Sequence, residues 1–342
     1  MPRWIAWIMT ALLPALSMAL PATARATTTL VVSAFLPPQH IFNVAVMKPW
    51  ARDVERVTEG RVRIVYPPTS VGSPQQQWDV VRKRIVDGAY IFNGLIQNRV
   101  TLPQLAHLPL GSTTAAGMSV ALWRTHEKFF SQAGEYRDVH LLALVVFPAG
   151  ELYSLKQPIT SRQGMQGIKL WALPGVAANL MDHAGAGVVA TPAAKMSELV
   201  AGGTVDGFAG IPDMDATRFN VARYARSETV IPGGITAPSF SFFVNKAAWD
   251  SISEADRKAI SALSGEAFAR RMRVIDQANA QARADAVAGG LKLVTPPSAF
   301  LAELADLARP MEAQWLAAAA RRDVDGEGAL RFYREQALKE AQ

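Results

Sequence analysis

The sequence predicts an α/β protein built from two domains. Three observations carry this. The chain has 342 residues and half of them are hydrophobic, enough for two separate cores. Short runs of β-branched residues alternate with stretches whose apolar residues recur every three or four positions, the pattern of parallel strands linked by helices. Finally, Ile85-Val86-Asp87-Gly88-Ala89-Tyr90 is echoed by Thr204-Val205-Asp206-Gly207-Phe208, each after a helical pattern and before a short strand, which suits two domains of similar design.

Residues 28–35 read as the first strand, and Leu36-Pro37-Pro38-Gln39-His40 as a loop stiffened by two prolines. A helix with Val46, Trp50, Val54 and Val57 on one face follows, ended by Gly60, and 61–66 is a second strand. Ser73 and Pro74 suit a helix cap and first position, and Gln76 completes a capping box. Trp78, Val81 and Ile85 form the buried face of that helix, and 89–92 is a third strand. Strand, helix and strand in this order imply parallel pairing. Gly88 and Gly207, the glycines of the echo, read most simply as left-handed helix stops.

Residues 103–111 read as a loop, 119–132 as a helix and 140–147 as a strongly apolar strand. Residues 166–171 form a short strand running into the Pro174-Gly175 turn, with a helix over 176–184 at once behind it. In α/β proteins ligands collect where strand ends meet helix starts, because free backbone N–H groups point there. Next come a short strand at 188–190, a helix capped by Thr191-Pro192 with Met196, Leu199 and Val200 inside, and a strand at 239–244. The helical pattern over 253–288, with Ser253 as its cap, would be ~54 Å long at ~1.5 Å per residue, so it is expected to kink or to bridge the domains. A strand at 291–294 and two alanine-rich helices, 298–321 and about 327–339, close the chain.

The formal charge of +6 argues against nucleic acid as a partner, because it is spread thinly and no block of five like charges occurs. The absence of cysteine excludes disulfides, thiol catalysis and thiolate metal sites. At the N-terminus, Arg3, an apolar run broken by Pro14, and Ala24-Arg25-Ala26 form the pattern of a signal peptide cleaved after Ala26, which predicts export to the periplasm.

Catalytic or cofactor chemistry finds no foothold. His40, His107, His126, His140 and His183 are scattered without metal-ligand spacing, so no metal is expected. There is no nucleophile elbow or phosphate loop. Gly185-Ala186-Gly187 follows a helix rather than a strand, so it reads as a helix stop and not as a dinucleotide site. Asp213 and Asp215 read as solvated loop carboxylates, since nothing in their spacing puts both in a cleft. No enzyme activity and no cofactor are expected.

Four stretches in this order carry a resemblance: the first strand with Phe35 and its Pro-Pro-x-His loop; Gln166-Gly167-Ile168-Lys169-Leu170; Val205-Asp206-Gly207; and Val244-Asn245-Lys246-Ala247-Ala248-Trp249-Asp250. Together they resemble the solute-binding proteins of tripartite ATP-independent periplasmic (TRAP) transporters, of the dicarboxylate-binding type, over nearly all of the mature chain. The resemblance implies a two-domain periplasmic-binding-protein fold, with crossing strands, a ligand cleft and a long domain-spanning helix. Domain I would comprise 27–150 and 236–278, and domain II 151–235 and 279–342, after a signal peptide at 1–26. It also implies a monomer that closes on a small-molecule ligand and docks on membrane permease subunits driven by an ion gradient. A receptor presenting its ligand to a sensor kinase is the alternative with the same fold.

The chain departs from the family where ligand is usually clamped. The position of the family's carboxylate-binding arginine is Trp171, a second position that is often basic is Glu151, and the Gln-Glu-Asn after Val-Asp-Gly is Phe208-Ala209-Gly210. A carboxylate about 4 Å from Glu151 would be repelled by ~4 kcal/mol at an effective dielectric of about 20. An amine, a zwitterion or a neutral aromatic solute is therefore expected over a simple dicarboxylate, with Glu151 pairing a cation and Trp171, Phe35 and Phe208 offering ring faces. The other reading puts Trp171 in the core and Glu151 in water, with Arg99, Arg124 or Arg162 clamping an organic acid. Asn93 at the end of the third strand and Phe240 with Ser239 on a crossing strand are further candidates. Asp213 is a candidate second anion of the site, with a solvated loop role as its alternative.

Overall fold

The computed structural model describes residues 27–341; the expected signal peptide lies outside them. The strands are β1 (Thr28–Ser33), β2 (Val62–Val65), β3 (Gly88–Phe92), β4 (Val139–Val146), β5 (Glu151–Ser154), β6 (Lys169–Ala172), β7 (Gly187–Ala190), β8 (Gly207–Ile211), β9 (Ser227–Thr229), β10 (Ser239–Asn245) and β11 (Lys292–Val294). They form two sheets, β2-β1-β3-β10-β4 and β11-β9-β5-β8-β6-β7. Each sheet carries a parallel trio, β2-β1-β3 and β7-β6-β8, with β10 or β5 added antiparallel beside it.

The internal echo is structural. Asp87 accepts a hydrogen bond from the backbone N–H of Val31 at 2.9 Å, and Asp206 from that of Lys169 at 2.8 Å. Each aspartate thus ties the entry of β3 or β8 to its parallel neighbour. Gly88 and Gly207 are not the left-handed stops expected, because neither has positive φ. They open strands at close approach: a Cβ on Gly207 would lie 2.3 Å from the carbonyl oxygen of Tyr153. Gly185, at φ +102°, does end the helix Val176–His183.

Two segments cross between the sheets, β4 to β5 and β9 to β10. They run side by side, with Gly150 and Ile235 donating to Thr236 and Gly150 carbonyls at 2.8 and 2.9 Å, and Phe147 donating to Pro238 at 2.8 Å. A Cβ on Gly150 would come within 2.1 Å of the carbonyl carbon of Gly210, so glycine is what lets the first crossing lie against β8.

The long helix of the sequence is broken. Glu254–Ala262 stops at Leu263, and Gly265–Ala269 restarts with Gly265 at φ +55°, where a side chain would meet the Trp123 ring at 2.6 Å. The spanning piece is Arg273–Ala288, which touches both halves. Asp276 accepts from the N–H groups of Ala115 and Ala116 at the start of helix Ala115–Thr125, on the first sheet. Arg283, on the same helix, pairs with carboxylates of the second. The final helix, Gly326–Glu340, packs on Ala115–Thr125 and so sits with the first sheet rather than the second. Ile85 is 61% exposed instead of buried, because helix Gln77–Arg82 ends early and Arg84 turns the chain at φ +55°.

Candidate functional site

A cavity of ≈ 490 Å³ opens between the two sheets. From the first half it is lined by the chain just beyond β1, Ala34 to Pro38, and beyond β2, Tyr66 to Ser70. From the second it is lined by Leu173 and Pro174 after β6, Pro192 to Ala194 after β7, and Ile211 at the end of β8. It therefore lies at the carboxyl ends of the parallel strands in both halves, where such sheets leave a crevice. Pro238, in the second crossing, also lines it, so that crossing borders the cavity.

The walls are largely apolar, rich in proline, with a cluster of aromatic rings among them. Phe240 on β10 lies 6.3 Å from Phe35 and 5.7 Å from Phe92 between ring centroids, and all three rings line the space. Phe219 and Tyr66 add further ring surface. Tyr66 donates to the Met47 carbonyl at 2.9 Å. Asn43 is occupied as well: it donates to the carbonyls of Leu36 and Pro37 and accepts from Tyr90, which pins the proline loop. Phe42–Met47 is a π-helical turn entering helix Lys48–Val57, a wide turn of the kind that often marks functional sites.

Two lining residues are charged, Lys48 and Asp215. Lys48 sits at the first position of its helix, and its amine has no hydrogen bond or ion pair among the described residues. Asp215 is on helix Asp213–Arg218, directly after β8. Its Oδ1 lies 2.7 Å from His40 Nε2, across the cleft. The backbone N–H of Phe42 donates to His40 Nδ1, so that nitrogen carries no proton and Nε2–H donates to the aspartate.

The residues singled out from sequence divide sharply. Phe35 and Phe240 line the cavity; Trp171, Glu151, Asn93, Phe208 and Asp213 are not among its lining residues. Trp171 is fully buried between β7 and β8, with its indole N–H donating to Thr191 at 2.9 Å. Phe208 stacks on Tyr153 at 4.5 Å in the core. Asn93 spends its amide on Ser239 and Ser241, deep under the sheet. Of the three arginines considered as a replacement clamp, Arg99 lies over Trp78, Arg124 pairs with Glu266 and Glu340, and Arg162 reaches the His183 carbonyl; none lines the cavity.

Glu151 and Asp213 instead join Glu228 around Arg283. The guanidinium lies 3.3 Å from Glu151, 3.0 Å from Asp213 and 2.6 Å from Glu228. Asp213 also accepts from Tyr153 and Asn279, and Glu151 from the N–H of Ile231 in the second crossing. A β-bulge between Glu151 and Leu152 re-aims the glutamate into this cluster. One arginine cannot neutralise three buried carboxylates. Burial raises Glu151 to about 7, against the pull of Ile231 and Arg283. Burial and then the Asp213 charge raise Glu228 to about 9. Glu151 is thus engaged with the spanning helix and is not presented to a solute. Lys48 escaped the sequence reading, and Asp215, expected there to be a solvated loop carboxylate, is instead buried on a helix and lines the cavity, because helix Asp213–Arg218 starts directly after β8 and turns it inward. The only available signal for Lys48 was a lone cation opening the helix behind the proline loop.

The chain matches the family model described as bacterial extracellular solute-binding protein, family 7, over residues 32–318. It is 45% identical over 324 residues to the protein named outer membrane transporter protein TsaT of Comamonas testosteroni, spanning 94% of this chain and 96% of that one. The crystal structure of a TRAP periplasmic solute-binding protein from Bordetella bronchiseptica, with (R)- and (S)-mandelate bound, is 29% identical with a TM-score of 0.87, covering 91% of this chain and 99% of that one. A TRAP solute-binding protein from Rhodoferax ferrireducens with copurified benzoate is 25% identical with a TM-score of 0.82, covering 92% and 98%. Among the described residues no helix is long and apolar enough to cross a membrane. The match over most of the chain and the cavity between two sheets agree: this chain belongs to family 7 of the bacterial extracellular solute-binding proteins, the extracytoplasmic receptors that capture small organic solutes for TRAP transporters.

Proposed function

We propose that the solute is a small aromatic anion, captured in the periplasm after removal of the signal peptide and handed by a monomeric receptor to the permease. The observation that carries this is the cavity lining: rings of Phe35, Phe92 and Phe240 around the space, and Lys48 as its single cation. A flat ring fits between such walls, and an ammonium without a protein partner suits a carboxylate, a charge-assisted bond of about 1.5–3 kcal/mol. Two relatives that carry mandelate and benzoate support the same class. The earlier ground for an amine, a free Glu151, does not apply to a carboxylate held by Arg283 and Ile231. A dicarboxylate gains little here, since Lys48 is the one cation of the lining and a second anion would meet Asp215 without a counter-charge.

The test is a thermal-shift screen of the chain starting at residue 27 against aromatic carboxylates, succinate and aromatic amines. Ligand at 100-fold its dissociation constant stabilises by about 2.7 kcal/mol, so true binders stand out. Aromatic carboxylates should raise the melting temperature and succinate should not. Lys48→Met should weaken aromatic carboxylates by roughly tenfold or more, as expected for a lost charged hydrogen bond. Stabilisation confined to amines would overturn the proposal.

A further inference from the structure

Asp215 is an unexpected group in the wall of an aromatic cavity. It is 8% exposed, and a carboxylate so placed is costly unless its lone pairs are met. His40 Nε2–H meets Oδ1, but because His40 Nδ1 accepts from Phe42, this imidazole brings a hydrogen bond and no positive charge. Oδ2 has no protein partner among the described residues, although Asp215 lines the cavity. Arg218 on the same helix is exposed and does not line the cavity, and Arg283 is committed to Glu151, Asp213 and Glu228. Among its lining residues the site thus offers one unpaired cation and one half-met carboxylate, in walls that are otherwise uncharged and mostly apolar.

We infer that Asp215 reads a hydrogen-bond donor on the solute: the ligand is an aromatic anion that also carries a hydroxyl or ammonium group, which Asp215 accepts through Oδ2. This rests on the aromatic-anion reading and narrows it. Such a ligand meets both lone charges at once, whereas an unsubstituted aromatic acid leaves Asp215 facing apolar surface. His40 lies in the loop after β1 and Asp215 on the helix after β8, so their hydrogen bond spans the cleft. The acceptor is therefore set in place by the joining of the two halves, and donor recognition belongs to the closed form.

The experiment is titration calorimetry with matched ligands: benzoate and phenylacetate, their ring- and side-chain-hydroxylated and aminated derivatives, and the methyl ethers of the hydroxylated ones. At least one donor-bearing acid should bind tenfold or more tightly than its parent, and its methyl ether should lose that advantage. Asp215→Ala should reduce the donor advantage to less than threefold. Should that variant not fold, Asp215→Asn carries the test, since a neutral acceptor should keep only part of the advantage. Parents binding as well as every donor-bearing derivative, or an advantage that persists in the Asp215 variant, would overturn the inference and leave the aromatic-anion reading standing. No binding by any aromatic acid would overturn both.

Discussion

Replacing Glu228 by glutamine should make the protein's stability independent of pH where the wild type loses it. Glu228 is completely buried beside Asp213 and Glu151, with one shared arginine, and its carboxyl rises from an ordinary 4.5 to about 9. The folded chain therefore holds a proton that the unfolded chain has released, and stability must fall as pH rises towards 9. Glu151, raised to about 7, adds to this fall only below neutrality. Three histidines act in the opposite sense: burial lowers His107 to about 3 and His126 and His140 to about 4, from 6.5. They take up protons in the unfolded chain first, so their contribution is lost as pH falls below 6.5. Between pH 7 and 9 Glu228 dominates, at ~1.4 kcal/mol per pH unit until the group begins to ionise in the folded chain, or about 2.3 kcal/mol over the two units. Urea unfolding at pH 7, 8 and 9 measures it. Wild type should lose stability steadily across this range and Glu228→Gln should stay level. A level wild-type profile, or a slope retained in the variant, would refute a protonated Glu228 in this cluster.

Other consequences follow from packing. Trp171→Ala should cost about 3–5 kcal/mol of stability without ligand, read by chemical denaturation, because it empties a fully buried indole site; a binding loss with unchanged stability would instead put Trp171 at the ligand. Gly265→Val should cost about 1–3 kcal/mol, since it forces a β-branched residue to φ +55° against Trp123; an unchanged denaturation midpoint would count against that turn. A saturating aromatic carboxylate should reduce the radius of gyration in small-angle scattering as the halves close about the crossings; an unchanged radius would argue against hinge closure.

The sequence shows why some of this is readable and some is not. The strands β1, β3, β4 and β10 are apolar runs bounded by turns, and the Val-Asp-Gly echo marks equivalent strand entries in both halves. The short β5 and β9 read Glu-Leu-Tyr-Ser and Ser-Glu-Thr, and their buried glutamates disguise them as surface. The break in the long helix is carried by Gly265, whose demand for positive φ depends on where Trp123 lies. Trp171 and Glu151 mark the sharpest gap. A strand places alternate residues on opposite faces, and a one-residue bulge at Glu151 decides what that side chain meets. Phe35 and Phe240 were readable as ring surface near strand ends, but Lys48 and Asp215 reach the cavity only through the way two helices meet two sheets.

The most direct measurement is a crystal structure of the chain starting at residue 27 with the tightest aromatic carboxylate found by calorimetry. The ring should lie among Phe35, Phe92 and Phe240, with its carboxylate oxygen within hydrogen-bond reach of Lys48 Nζ. A carboxylate held by another cation, or a ligand bound outside the cavity between the two sheets, would contradict the account.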